Sequence, residues 1–473
     1  MSDSQFSVTF WSGVGTVTGA NFLLEGDSFR ALVDCGILQG TASSGDENAK
    51  AFPYDPKSVD FLFITHAHAD HIGRIPKLVK DGFVGTIYST PATRALSELM
   101  LDDAQRIGDM ESRKNGTLAL YGPEDVAKSF TLWKTIDYHK PTTITKHLSV
   151  ELKDAGHILG SSMYLFTVSD DLPAKNFEGK NLGGRAKTIL FTGDLGNSPS
   201  LLLRDTEFVI DADYIVMDSV YGDRNHESKD EREAHFERVV KQAIAQKGVL
   251  VIPCFSLERT QDVLYQFNEL VEGKKISSVP IFLDSPLAIE LTAIYERITS
   301  LYNDSVEKDI GAGDDIFNFP RLKATAQSAD SKHIISVPNP KIIIAGSGMS
   351  SGGRVLHHEL EYLPDPNNIL LLMGYQAAGT LGRQLEEGAK EVVIYDQKVP
   401  VRAHVEMISG YSGHKDSDHL VDWAEHALPR TKTFFIVMGE PKASLFLSQK
   451  MRDNLGANTV LPEVGKVYQI GLE

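Results

Sequence analysis

The chain of 473 residues contains only two cysteines, Cys35 and Cys254. Two thiols cannot build a disulfide framework, so stability has to come from packed cores. Each cysteine ends an apolar run, and both are expected to be reduced thiols of a cytoplasmic protein. Long apolar runs are missing too. None approaches the roughly 20 residues that cross a bilayer, so no membrane-spanning helix is expected. Met1-Ser2-Asp3-Ser4-Gln5 has neither the positive charge nor the apolar stretch of a signal peptide. A basic excess is also lacking: 47 Lys and Arg stand against 64 Asp and Glu, a net charge of −17. That argues against a general nucleic-acid binder. It leaves room for a polyanion held where metal ions supply the positive charge. Asp223, Glu227, Asp230, Glu231 and Glu233 cluster, and read as a solvated helix face. No internal repeat or low-complexity tract is visible. What remains is an ordinary globular composition, 42% hydrophobic and 23% charged, long enough for two domains with their own cores.

Against that background one stretch stands out, Thr65-His66-Ala67-His68-Ala69-Asp70-His71-Ile72-Gly73. It follows the apolar run Val59–Ile64, which reads as a buried strand, and precedes an amphipathic segment beginning at Ile75. Four metal-type side chains therefore sit where a strand ends and a helix begins, the crevice in which α/β proteins bind ligands. Imidazole suits zinc, and aspartate can complete or bridge a site. His66 and His68, two apart on an extended tip, point the same way and can share one ion. Asp70 and His71 lie past the bend and can reach a second.

This HxHxDH spacing resembles the signature of the metallo-β-lactamase fold. Three further segments resemble that family's motifs and follow in its order. Asp154-Ala155-Gly156-His157 resembles the third-histidine motif, Leu190–Gly196 the bridging-aspartate motif around Asp194, and Ala31–Gly36 the strand-end aspartate, Asp34, that supports the site from behind.

The rest of the chain can be ordered around these motifs. Short strand patterns at Phe6–Phe10, Asn21–Leu24 and Arg30–Val33 read as one sheet of a sandwich. A helix is expected from Pro91, suited to a first turn, to about Ile107. Strands are expected at 161–168 and 187–191 around a polar hairpin of residues 170–186. After Tyr214–Asp218, strands and helices alternate up to about Tyr395, which implies βαβ units on a parallel sheet. A helix is expected over 286–302. Residues 304–337, polar and without clear period, read as a flexible connection. From Val401 the pattern returns to strand, helix, strand and a helix near 443–456.

This middle block narrows the resemblance to the β-CASP group of nucleic-acid nucleases, over nearly the whole length. Asp218–Arg224, Pro253–Gln261, Asp284–Ala288, Gly346–Met349, Gly374–Arg383 and Tyr411–Asp416 carry it. They resemble the RNA-processing branch, which includes the endonuclease of pre-mRNA 3′-end processing and its bacterial and archaeal relatives. The implied fold is α/β: a metallo-β-lactamase αββα sandwich (residues 1–221 and 401–473) with an α/β β-CASP domain inserted at 222–400. The active site would lie in the cleft between them.

The resemblance also implies roles. His66, His68 and His157 would hold a first zinc, Asp70 and His71 a second, and Asp194 would bridge them. Such a pair lowers the pKa of the water between them, giving hydroxide near neutral pH to attack a phosphodiester of single-stranded RNA. Asp70 would also orient that hydroxide. His414 would protonate the leaving ribose oxygen, oriented by Asp218, since a carboxylate fixes the imidazole tautomer and raises its pKa. One position departs from the family. Where a late strand should deliver a further histidine to the second zinc, Val437-Met438-Gly439-Glu440 supplies Met438. A thioether is a poor zinc ligand, so a weakened second site is expected.

Ser347 and Gly348 open one helix, and Thr380 and Arg383 another, in Gly-rich turns whose N–H groups could hold an RNA phosphate. A tight strand-to-helix turn explains each equally well. Two other functions stay open: a small-molecule metallo-hydrolase, and a catalytically weakened relative that binds RNA or a partner. Endo- or exonucleolytic cutting and the oligomeric state, a homodimer included, are left open by the sequence.

Overall fold

A computed structural model describes residues 5–40, 44–169, 186–377 and 379–471. The described chain divides into two compact units. The first holds residues up to 198, 205–225 and from 414 on, and the second holds 199–204 and 226–413.

The first unit contains two seven-stranded sheets. One runs, edge to edge, Val467–Gly471, Gln5–Ser12, Asn21–Gly26, Phe29–Val33, Phe61–Phe63, Thr86–Ser89 and Trp133–Thr135. The other runs Thr459–Val460, Thr433–Val437, Tyr214–Asp218, Ala186–Phe191, Ser162–Ser169, Leu148–Asp154 and Thr142–Thr143. Their facing sides interdigitate. Phe10, Phe22, Val33 and Phe63 from the first sheet form one buried cluster with Tyr164, Phe166, Phe191, Val216 and Phe435 from the second. Alternation along each strand sends every second residue into this layer. The opposite side of the second sheet is covered by helices Ser417–Ala427 and Pro441–Leu455, whose Leu420, Trp423, Leu447 and Met451 pack on Met163, Leu190, Ile215 and Ile436. Beside the first sheet, helices Ile75–Lys80, Pro91–Asn115 and Pro123–Thr131 pack on one another. This is the expected αββα sandwich.

The second unit is a six-stranded sheet in the order Leu322–Ala324, Ile281–Asp284, Lys341–Ala345, Val249–Pro253, Ile369–Met373, His404–Ile408. Every pairing in it is parallel. The four central strands are buried along their whole length and almost wholly apolar, as a sheet covered on both faces requires. Their core includes Val249, Val251, Phe282, Ile343, Leu370 and Leu372, with Val355 and Leu385 from the flanking helices.

Several expectations shift. The helix from Pro91 starts as read, with Thr90 Oγ1 accepting Thr93 N–H at 3.1 Å, but runs to Asn115, where Gly116 closes it in left-handed backbone (φ 67°). The helix at 286–302 ends at Tyr295 and gives way to a 3₁₀ turn at Thr299–Leu301. Residues 304–337 are not a loose connection. They form helix Asp304–Gly311, the edge strand Leu322–Ala324 and helix Ser328–His333. Glu391–Ile394 does not join the parallel sheet. It pairs with Gln397–Pro400 as a hairpin whose turn residues Tyr395 and Asp396 have φ of 49° and 62°. The border read at residue 400 lies further on: His404–Ile408 hydrogen-bonds to Ile369–Met373, which keeps the chain in the second unit to Gly413. The hairpin read at 170–186 falls almost wholly outside the described residues.

Candidate metal centre

Asp34 ends strand Phe29–Val33 in left-handed backbone (φ 59°), which turns its side chain toward the next strand end. Its Oδ1 accepts the Thr65 N–H, and its Oδ2 accepts the Thr65 hydroxyl and His71 Nδ1–H, all at 2.8 Å. With its proton given to Asp34, the Thr65 oxygen accepts His66 Nδ1–H at 3.0 Å. One buried carboxylate thus fixes two imidazoles so that each turns an Nε2 lone pair inward. Thr65 is the member of this relay to which the sequence reading gave no role. Its position directly before His66 was the available signal.

The inward nitrogens converge. His66 Nε2 lies 3.1 Å from His68 Nδ1, and His157 Nε2 lies 3.2 Å from the same atom. Ligands on a tetrahedral ion with bonds of ~2.0–2.1 Å stand about 3.3 Å apart, so the spacing is that of nitrogens sharing one ion. Asp194 Oδ2 is 3.6 Å from both His66 Nε2 and His157 Nε2, 3.5 Å from His71 Nε2 and 3.7 Å from His414 Nδ1. His71 Nε2 is also 3.7 Å from Asp70 Oδ2. Two overlapping groups result, with ligand atoms all within 4.8 Å of one another: His66, His68, His157 and Asp194; and Asp194, Asp218 and His414. His71 Nε2 and Asp194 Oδ1 are buried without a hydrogen-bond partner among the described residues. Buried polar atoms left open in this way, in a set of imidazoles and carboxylates, fit divalent cations.

Glycines let the ligand loops approach this closely. A Cβ on Gly36 would lie 1.5 Å from the Asp70 carbonyl oxygen, and one on Gly196 would lie 1.9 Å from that of Gly156, beside His157. Gly196 also bridges His414, and Asp218 Oδ1 accepts the Leu195 N–H at 3.1 Å.

Electrostatics follow from burial and crowding. Burial, helped by neighbouring imidazoles, holds His66 and His68 well below the usual histidine range. Burial pushes His71 the same way, but Asp194, Asp34 and Asp70 together outweigh it and raise it well above that range. Asp194 is held low, because His71, His414 and His66 overcome its burial. Burial and the nearby Asp194 raise Asp218, and burial raises Asp70 to about 6.

Met438 is buried in the sandwich core at left-handed φ (47°), with its Sδ 2.8 Å from where a Cβ on Gly13 would stand. It lines a small cavity together with His71, Asp34 and Thr65.

The candidate phosphate residues belong to the second unit. Their two turns are joined: Gln376 Nε2–H donates to the Gly348 carbonyl and Gly382 N–H to that of Met349, both at 3.1 Å. Ser347 Oγ accepts the Ser351 N–H at 3.0 Å. Thr380 caps its own helix, accepting from Arg383 N–H at 3.2 Å, and the Arg383 guanidinium pairs with Glu387 at 2.7 Å.

Comparison with known proteins agrees with this architecture. Residues 14–150 match the metallo-β-lactamase superfamily, 260–385 the Beta-Casp domain, and 398–462 the Zn-dependent metallo-hydrolase RNA specificity domain. Ribonuclease TTHA0252 of Thermus thermophilus is 34% identical over 92% of this chain and 93% of its own length. The transcription termination factor FttA of Methanosarcina mazei is 30% identical over 97% of this chain and 70% of its own. A solved protein of unknown function from Enterococcus faecalis shares the fold, at 12% identity with a TM-score of 0.53, covering 98% of this chain and 100% of that one. The fold and the donor set define a metal-dependent hydrolase. The chain belongs to the β-CASP branch of the metallo-β-lactamase superfamily, among its RNA-processing members.

Proposed function

We propose that the protein is a zinc-dependent ribonuclease that hydrolyses phosphodiester bonds of single-stranded RNA in the cytoplasm. The observation that carries the reading is the convergence of His66 Nε2, His68 Nδ1 and His157 Nε2 on one point beside Asp194. The likeness to a relative named a ribonuclease over nearly its full length supports the choice of RNA. His66, His68, His157 and Asp194 would hold the first zinc, and Asp70, His71 and Asp194 the second. Bound there, the ions supply an acidified water and stabilise the charge that develops on the phosphoryl group.

The protein's own groups do the remaining work. Asp70 holds the attacking water in line with the phosphorus–oxygen bond that breaks. His414 gives a proton to the leaving ribose oxygen as that bond opens, and Asp218 keeps its imidazole oriented. Asp34 and Thr65 hold His71 and His66 in the tautomers that leave Nε2 free. Ser347, Gly348, Thr380 and Arg383 are proposed to bind a phosphate of the RNA. The buried, unpaired thiols Cys35 and Cys254, both pushed up to about 12 by burial, suit a reducing compartment.

Incubating the zinc-loaded protein with 5′-labelled and 3′-labelled single-stranded RNA tests the activity and its polarity together. Cleavage that disappears in both His157→Ala and Asp194→Ala supports the assignment. Cleavage that survives either change overturns it. A catalytically weakened, RNA-binding relative is the second reading, favoured by Met438 alone. It predicts RNA binding without cutting at any zinc concentration.

A further inference from the structure

In the second unit two adjacent strands send their connections in opposite directions, each across the other. From Val249–Pro253 the chain passes to Ile281–Asp284 on one side of the sheet order. From the neighbouring strand Lys341–Ala345 it passes to Ile369–Met373 on the other. Two adjacent strands whose connections leave in opposite directions open a crevice at their carboxyl ends, where α/β sheets bind ligands. Phe255 stands there, two residues past Pro253, with 37% of its surface exposed.

A lone exposed aromatic is ordinary on a protein surface, but this one is fixed in place. Its carbonyl oxygen accepts both the Thr260 hydroxyl (2.7 Å) and the Thr260 N–H (3.2 Å). Its neighbour Cys254 donates its N–H to Ala345 at 2.9 Å, tying the two strand ends together. On one side the ring rests on the backbone of Gly348. A Cβ there would come within 2.6 Å of Phe255 Cδ2, so only glycine admits the ring in this position. The hydroxyls of Ser256 and Ser285, 3.2 Å apart, lie at the same strand ends beside Gly346. A ring held against peptide, partly exposed and beside hydroxyls has the form of a stacking platform for a nucleobase.

We propose that Phe255 stacks on one base of the bound RNA and sets the register of the strand. The inference rests on the ribonuclease reading and deepens it, by naming a residue that binds a base where the earlier assignments concern only phosphate and metal. Ring stacking tolerates all four bases, so the contact favours unpaired RNA over any one sequence.

The test is a series of single-stranded RNA substrates, each with an abasic site at one position, cleaved by wild type, Phe255→Ala and Phe255→Trp. In wild type one abasic position should raise KM on the order of tenfold with kcat nearly unchanged. Phe255→Ala should raise KM on intact RNA by a similar factor and become indifferent to that position. Phe255→Trp should behave as wild type, which a loss of folding could not mimic. Additive losses, with Phe255→Ala as sensitive to every abasic site as wild type, overturn the stacking role and leave the ribonuclease reading intact. A wild type that cleaves no RNA overturns that reading itself, and this inference with it.

Discussion

Met438 bears on how a proposed second ion would be held. The thioether lies in the core beside Gly13, and the cavity it lines is also lined by Phe22 and His71. A histidine there would face His71 from behind an existing space. Met438→His is therefore expected to tighten the second ion by about tenfold or more and to raise metal content toward two per chain. Until then activity should depend on added metal, with Mn²⁺ able to replace zinc at an oxygen-rich site. Titrating metal-depleted wild type and variant side by side measures this, and two tightly bound ions in wild type with no gain in the variant would leave Met438 as packing only. Glu359 supplies a second residue-scale expectation, far from any metal ligand in sequence. It is fully buried, shares a hydrogen bond with Ser350, and has Oε2 without a hydrogen-bond partner among the described residues. Burial pushes its carboxyl up to about 7 from 4.5. Below 4.5 both folded and unfolded chains are protonated. Between there and 7 only the unfolded chain releases the proton, so stability falls as pH rises, by about 3 kcal/mol in all, and is level above 7. Glu359→Gln should remove that slope, making the variant more stable than wild type at pH 8 and nearly equal at pH 4.5 in urea unfolding. His66, His68, Asp70 and His71 stood out in the sequence because four metal-type side chains fall within six residues after an apolar run, whereas His157 and Asp194 were marked only by their resemblance to family motifs. Glu359 and Thr65 were not legible there, since their roles depend on which side chains meet across the fold.

At the scale of elements, apolar runs identified the central strands well, because a strand covered on both faces has to be apolar throughout. The edge strand Leu322–Ala324, mostly exposed, was hidden in the sequence, whereas the strand read to end near Tyr395 does form, at Glu391–Ile394, but takes its place from the hairpin partner Gln397–Pro400. The segment read as a loose connection is held by a residue whose function a sequence does not reveal. Lys341 opens a buried strand, and its Nζ donates to the carbonyls of Ile334 (2.8 Å), Ile335 (3.2 Å) and Val337 (2.8 Å). These carbonyls lie in and just after the 3₁₀ turn Ile334–Ser336 that follows helix Ser328–His333; that of Ile334 also accepts the Val337 N–H at 3.1 Å. Burial lowers the Lys341 pKa, yet its hydrogens remain committed to these oxygens. Lys341→Met keeps the side-chain length but removes three hydrogen bonds, leaving the Ile335 and Val337 carbonyls without this donor, so a loss of about 2–4 kcal/mol is expected from urea denaturation, with Lys341→Arg recovering part of it. A loss below about 0.5 kcal/mol would mean that water replaces the ammonium group there.

At the scale of the whole molecule, an acidic chain is asked to bind an acidic polymer. The net charge is −17, and the proposed centre itself gathers Asp34, Asp70, Asp194 and Asp218 around its imidazoles. Without bound cations that group repels phosphate; with them the sign at the reacting bond reverses. The fold has no such dependence. Its sandwich core is closed by Phe10, Phe22, Phe63, Phe166 and Phe191, and the second unit has a separate apolar core. Removing the ions with a chelator should therefore abolish cleavage and weaken RNA binding more than tenfold, while far-ultraviolet circular dichroism stays unchanged. The melting temperature should fall, by an amount that grows with how tightly the ions had been bound, since they bind the folded chain alone. Adding zinc back should restore cleavage, binding and melting temperature together. RNA binding that is equally tight with and without metal would place the attraction elsewhere on the protein, and cleavage by protein shown by elemental analysis to be metal-free would remove the centre from the chemistry.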